Sequence, residues 1–361
     1  MRCTPLLGLV LLASGCPLPA EQDRDAEPIP LIDSHVHLTP QPDCIQRALD
    51  LFERNGVVRF CTKSAGPAGS ARFRATVALQ QRLGDRFAFF ANLDWSGIDH
   101  PGWPAREARR LERALAAGAR GIKIFKNLGL GVRTADGALL AVDDARLDPI
   151  MAKAAELGAV VAMHTGDPKA FFSPPGPRNE RHLELLFAPG WSFWGEGLPS
   201  RESLLAARDR LIARHPKTTF LLIHLANNPE DLDYVDRLLD AHANVYVDTS
   251  ARLAEIGRHP PQRVRALFEK HPHRILFGSD IIIRPGGYQL GSLSIWPDDE
   301  SDADRFYRAH RAYFETDRRG LAHPTPIQGQ WTIDGIDLPR PLLHAFYRGN
   351  AERLIFGGHP D

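Results

Sequence analysis

Cysteine is scarce in this chain: four among 361 residues, Cys3, Cys16, Cys44 and Cys61. None stands in a C-x-x-C pair or a Cys/His cluster, so a zinc finger is unsupported. A net charge is missing too, with 44 Lys and Arg balanced by 44 Asp and Glu. That balance gives no support for a nucleic-acid surface or a polybasic membrane face. No apolar run reaches the roughly 20 residues needed to cross a bilayer. G-x-S-x-G and G-x-G-x-x-G are also absent, which sets aside a serine-triad elbow and a dinucleotide fold. No internal repeat or low-complexity block occurs.

The first residues differ from the rest. Arg2 precedes the apolar stretch Leu6, Leu7, Leu9, Val10, Leu11 and Leu12, and then come Ala13-Ser14-Gly15-Cys16. This is the layout of a signal peptide. Its end is similar to a bacterial lipoprotein cleavage box, with Ala13 where such boxes usually carry Leu. Residues 1–16 are therefore expected to be a signal peptide and Cys16 the lipidated first residue. Plain secretion is the alternative. Export to the periplasm follows, with membrane contact only through the anchor. Residues 17–30 are rich in Pro and charge and are expected to form a linker. Cys44 and Cys61 are expected to be buried free thiols, although an oxidising compartment would permit pairing.

From residue 31 to 361, short apolar runs alternate with helical patterns. The runs are Ile29–Val36, Val57–Cys61, Phe87–Leu93, Gly121–Phe125, Ala159–Met163, Thr219–Ile223, Val245–Val247 and Ile275–Phe277. Eight strands in βα order predict an α/β chain folded as a (β/α)₈ TIM barrel. Asn228 and Pro229 suit the cap and first turn of a helix carrying Leu232, Val235, Leu238 and Leu239. Two insertions are predicted, Thr165–Ser200 after the fifth strand and Ile281–Pro341 after the eighth. The second is expected to hold a helix near Asp302–Glu315 and a hairpin over Trp331–Leu338 turning at Asp334-Gly335.

Chemistry concentrates at the strand ends. His35 and His37 are two residues apart, so in a strand they face one side. His164 directly follows Val160-Val161-Ala162-Met163, His224 follows Phe220-Leu221-Leu222-Ile223, and Asp280 follows Phe277-Gly278-Ser279. Any one of them alone reads as an ordinary polar residue. Together at one rim, imidazoles and a carboxylate suit a divalent ion of the Zn²⁺ type.

These stretches carry a resemblance. Ile32-Asp33-Ser34-His35-Val36-His37, Gly121-Ile122-Lys123-Ile124, Met163-His164-Thr165, Ile223-His224 and Phe277-Gly278-Ser279-Asp280 are similar to the amidohydrolase superfamily. The branch resembled is that of amidohydrolase-related barrel hydrolases and decarboxylases, and Tyr347–Leu354 resembles its final helix. The resemblance implies that His35, His37, His164 and Asp280 hold the metal, with Asp280 also acting on protons. His224 would polarise substrate or handle protons, or act as a ligand if there were two ions. One ion, Zn²⁺ by ligand type, is the expectation. Two-metal members bridge their ions with a carboxylated lysine on the fourth strand. Here Lys123 and Lys126 are the candidates, with Lys126 the better placed. Either could instead meet an anionic group of a substrate, or snorkel to solvent.

On the substrate side, Arg178 and the aromatics Phe171-Phe172 and Trp191-Ser192-Phe193-Trp194 occupy the first insertion. They could hold a planar or carboxylated small molecule, or simply fold the loop. Arg252 could meet a carboxylate or pair with an acidic neighbour, and Asp248 reads as structural. The expected activity is hydrolysis of an amide, lactone or other ester of a small molecule, with Asp280 and His224 as the catalytic groups. Non-oxidative decarboxylation of an aromatic or unsaturated acid is the alternative. A non-catalytic ligand-binding lipoprotein is a third reading.

Overall fold

The computed structural model describes residues 27–293 and 298–357. The signal peptide, Cys16 and residues 17–26 of the linker lie outside them. At the end of that linker, Ile29 is already buried in the core.

The body is an α/β fold of parallel strands. The strands are β1 (Leu31–Leu38), β2 (Val57–Thr62), β3 (Phe87–Phe89), β4 (Ala91–Asn92), β5 (Gly121–Ile124), β6 (Val160–Met163), β7 (Thr219–Leu222), β8 (Val245–Asp248), β9 (Ile275–Leu276), β10 (Ile281–Arg284) and β11 (Gly287–Leu290). They form two main sheets, ordered β11-β10-β1-β2-β3 and β4-β5-β6-β7-β8-β9. The expected third strand is thus broken at Phe90. The expected eighth strand ends at Leu276, and after a gap it is β10, at the start of the segment predicted as the second insertion, that pairs in parallel with β1. Through the gap, Ser34 N donates to Phe277 O at 3.1 Å and Asp280 N donates to His35 O at 2.8 Å. Helices separate the strands, among them Pro42–Arg54, Ala71–Leu83, Trp103–Ala116, Asp148–Glu156, Arg201–Arg214, Leu232–Ala241 and Pro261–Lys270. This arrangement is consistent with a TIM barrel.

The two faces of the strands bury different partners. Val161, Met163, Phe220, Leu222, Val245 and Val247 join the large cluster formed with the helices. Their neighbours Val160, Ala162, Leu221 and Ile223 join a second cluster with Ile32, Cys61, Phe90 and Leu276, closed by Ala351 and Ile355 of the C-terminal segment. Burial on both faces explains why the strands read as unbroken apolar runs. Period two then places Lys123, His164 and Asp248 on the inner face. Gly121 shares that face because space is short: a Cβ there would lie 1.8 Å from Val160 O.

Two local expectations fail. The helix after β7 starts at Leu232 and is capped by Asp231, which accepts from Tyr234 N, rather than by Asn228. Residues 331–338 do not form a hairpin of their own. Instead Thr332–Ile333 pairs antiparallel with Leu321–Ala322, and Gly335 N is used by Arg318 O at 2.7 Å. The helix near Asp302–Glu315 runs over Glu300–Glu315 with a capping box at Asp299. Cys44 and Cys61 are free and buried. Among the described residues no helix is long and apolar enough to cross a membrane.

Candidate functional site

His35 and His37 leave β1 on the same side, as their spacing requires. Both approach one atom. His35 Nε2 is 3.3 Å and His37 Nε2 is 3.1 Å from Asp280 Oδ1. Asp280 arrives with φ +63°, a left-handed conformation that Asp tolerates better than most residues. His224 Nε2 lies 4.0 Å from Asp280 Oδ2, and its ring stacks 5.3 Å from that of His35. His164 packs edge-on to His224 at 4.6 Å, but its Nε2 turns 3.1 Å to Asp167 Oδ1. Three of the five predicted groups, His35, His37 and His224, therefore surround the carboxylate of a fourth, Asp280, while His164 adjoins them and faces Asp167.

The orientation of the imidazoles is set from behind. The Asp248 carboxylate only accepts, so His35 Nδ1, 2.9 Å from Asp248 Oδ2, carries the proton and leaves Nε2 with a lone pair. His224 Nδ1 donates to Ser250 O at 2.8 Å, with the same result. Asp248 Oδ1 also accepts from His224 N at 2.9 Å, Ser250 N at 3.2 Å and Ser250 Oγ at 2.5 Å. Ser250 Oγ lies 2.9 Å from His35 Nδ1 and 3.0 Å from His224 Nδ1. Sequence reasoning took Asp248 as structural and missed Ser250 and Asp167. Asp248 and Ser250 share a face at i and i+2 by the same rule that paired His35 with His37.

Asp33 joins the two ends of the chain at this point. Its Oδ1 accepts from His35 N and Ser279 N, each at 3.1 Å, and its Oδ2 accepts from Tyr307 Oη at 2.7 Å. Burial pushes the Asp33 carboxyl up to about 6, against the pull of those hydrogen bonds. At Asp280 burial acts in the same upward direction, but His35 and His37 outweigh it and hold the carboxyl at about 2. Burial lowers His164 to about 4 and pushes His35 and His224 well below the usual imidazole range. Neutral imidazoles facing an ionised carboxylate are the donor set a divalent cation needs.

The lysines divide differently from expectation. Lys123 is buried inside, its Nζ unpartnered, and burial brings it down to about 7 against the opposing pull of Asp280 and Asp248. Lys126, thought the better placed to bridge ions, instead pairs with Asp167 and lies over the rings of Trp191 at 4.6 Å and Phe193 at 5.6 Å. The aromatics of the first insertion pack on one another, Phe171 on Trp191 and Phe172 on Phe193. Arg252 is buried and reaches Asp167 Oδ1 at 3.5 Å. Asp167 thus collects His164, Lys126 and Arg252. Burial would raise its carboxyl, but those neighbours hold it below the ordinary carboxylate range. Arg178 is exposed and lines a separate cavity of about 720 Å³ with Lys169, Glu230 and Glu255, to which none of the five predicted groups contributes.

The backbone after β7 is unusual. His224, Leu225, Ala226 and Asn227 all have φ between 50° and 58°. Left-handed L-residues cost roughly 1–2 kcal/mol each, so this turn requires compensation. His224 N, as noted, is held by Asp248. Arg208 Nη1 donates to Ala226 O at 2.5 Å and Arg201 Nη2 to Asn227 O at 2.7 Å.

The site fits a metal on its own atoms. His35 Nε2 and Asp280 Oδ1 are buried, face each other, and have no hydrogen-bond partner. Buried polar atoms are rarely left so, and a shared cation is one way to satisfy them. His35, His37 and Asp280 have ligand atoms within 4.8 Å of one another.

Comparison with known proteins agrees in fold. A solved structure of an amidohydrolase II is 14% identical, with 92% of this chain and 100% of that one covered and a TM-score of 0.52. A 4-oxalomesaconate hydratase from Rhodopseudomonas palustris is 13% identical over 90% of this chain and 95% of its own, also with a TM-score of 0.52. A 2,6-dihydroxybenzoate decarboxylase is 14% identical over 91% of this chain and 100% of its own, with a TM-score of 0.48. No curated protein matches. The amidohydrolase family model matches residues 32–356, and that family is generally dependent on divalent metal. The chain therefore belongs to the amidohydrolase family and is an enzyme of that type.

Proposed function

We propose that the chain is a metal-dependent hydrolase acting on an amide, lactone or other ester of a small molecule, built on a closed (β/α)₈ barrel. One divalent ion, Zn²⁺ by its ligands, would be held by His35, His37, His164 and Asp280. The observation that carries this is the approach of two imidazole nitrogens, the lone-pair Nε2 of His35 and the Nε2 of His37, to one orphaned carboxylate oxygen. His164 would exchange its Asp167 contact for the ion. Such an ion supplies Lewis-acid activation of water and of a carbonyl.

The chain's own groups supply the rest. Asp280, ionised and 4.0 Å from His224 Nε2, accepts the proton of the attacking water. His224 keeps Nε2 free because Nδ1 is committed to Ser250 O, so it takes that same proton from Asp280 and passes it to the leaving group. Burial of His35, His224 and Lys123 excludes bulk water and strengthens these interactions. Export and a lipid anchor on Cys16 form part of the same proposal, resting on the composition of residues 1–16.

Decarboxylation is a second reading, favoured by Lys126 and Arg252, two cations on a single carboxylate. They leave a net positive charge for a substrate carboxylate. Elemental analysis of the purified chain, with parallel screens for ester or amide hydrolysis and for carbon dioxide release, tests both. One equivalent of metal, lost with activity in His35→Ala and Asp280→Ala, is expected. A chain with no divalent metal, or those variants retaining it, would overturn the proposal.

A further inference from the structure

The turns after β6 and β7 carry His164 and His224, and one side chain from outside both turns holds them together. Arg201 opens the helix Arg201–Arg214 and is buried. Its Nε donates to Asp167 O at 3.0 Å, three residues after His164. Its Nη2 donates to Asn227 O at 2.7 Å, three residues after His224, and to Asn228 Oδ1 at 2.9 Å and Glu230 Oε2 at 2.8 Å. A second strap runs beside it. Asn227 Oδ1 accepts from Thr165 N at 3.2 Å, and Asn227 Nδ2 donates to Gly166 O at 3.5 Å. Both straps bind carbonyls or amides that no strand or helix ladder uses.

We propose that Arg201 is a positioning residue: its guanidinium ties the turn after His164 to the left-handed turn after His224 and so fixes the separation of the two imidazoles. The planar fork matters, because two carbonyls on different turns must be reached from one group. A lysine offers a single point of donation and cannot span them equally. Arg201 touches none of the predicted ligands, so it acts on them through the two turns it holds, while Asn228 and Glu230 fix its guanidinium in place. This inference rests on the metal-site reading above.

The test loads the metal-free full chain with Co²⁺ and follows both its affinity and its visible absorption band, which reports coordination geometry. The variants are Arg201→Met, Arg201→Lys and Asn227→Gly. The last keeps the positive φ of residue 227 and removes only its strap, so it tests the idea even if Arg201→Met fails to fold. Arg210→Met on the same helix, where Arg210 is exposed and pairs with Asp143, is the control. Co²⁺ affinity is expected to fall about 10- to 100-fold in Arg201→Met, with an altered band, and less in Arg201→Lys. Asn227→Gly should shift the band in the same direction, and Arg210→Met should match the wild type. Folded Arg201→Met or Asn227→Gly with wild-type affinity and band would overturn the proposal alone. A wild-type chain with no Co²⁺ band would refute the metal-site reading beneath it.

Discussion

Asp248→Asn changes one oxygen to an amide nitrogen and almost nothing in volume. Its consequence can be followed atom by atom. Asp248 Oδ1 accepts from His224 N, Ser250 N and Ser250 Oγ, while Oδ2 accepts from His35 Nδ1. An asparagine keeps one acceptor, and three donors compete for it on one side. The new NH₂ then faces His35 Nδ1–H, and two donors cannot bond. The ring relieves this by moving its proton to Nε2, which already lies 3.3 Å from Asp280 Oδ1. The fold loses little, on the order of 1–3 kcal/mol, because the new proton finds a carboxylate. The cation loses a lone pair it needs, and affinity should fall by about 10- to 100-fold, or roughly 1.4–2.8 kcal/mol. Titrating the metal-free chain with Zn²⁺ against a chromophoric chelator measures the second effect, and urea unfolding in excess chelator measures the first. An asparagine variant that binds Zn²⁺ within about threefold of wild type would refute the tautomer argument.

Two further outcomes concern the fold. His310 is buried with Nδ1 on Phe306 O at 2.8 Å and Nε2 unpartnered, and burial lowers it to about 4. The folded chain therefore leaves it neutral while the unfolded chain takes up a proton below about pH 6.5, so stability falls with falling pH by roughly 1.4 kcal/mol per unit across that window. Urea midpoints of metal-free His310→Phe should decline less steeply from pH 6.5 to 4.5, and parallel slopes would contradict this. Gly121→Ala sets a methyl 1.8 Å from Val160 O, forcing β5 from β6, and should cost on the order of 3 kcal/mol or abolish soluble expression. An undiminished melting temperature would show that the pair has slack the distances deny.

The strands were legible because both faces of each are buried, leaving runs such as Val160–Met163 with no polar interruption. The convergence of His35, His37, His224 and Asp280 was legible from strand ends alone. Local backbone was not. Asn228 looked like a cap because four left-handed residues in a row are too improbable to expect from Ile223-His224-Leu225-Ala226-Asn227. Asp167 was hidden too, since only the fold shows that the chain after His164 doubles back to its Nε2. Lys126 looked better placed than Lys123 by its position at the strand end. Face decides instead, and Lys123 shares Gly121's inward side. The hairpin expected at Asp334-Gly335 was lost to partners distant in sequence, Leu321–Ala322 and Arg318.

The seam at Asp33 has a consequence for biosynthesis. This carboxylate takes one partner from two residues away and the others from 246 and 274 residues downstream. At roughly 5–20 residues per second, the ribosome adds Tyr307 about 14 to 55 seconds after Asp33. Until residues 279 and 280 are added, the nascent chain carries this acid and the two imidazoles next to it without Ser279 and Asp280, and Tyr307 follows later still. A chain ending before residue 279 holds Asp33 with neither distant donor, and one ending before Tyr307 lacks the second, so the finished seam requires the chain at least as far as Tyr307.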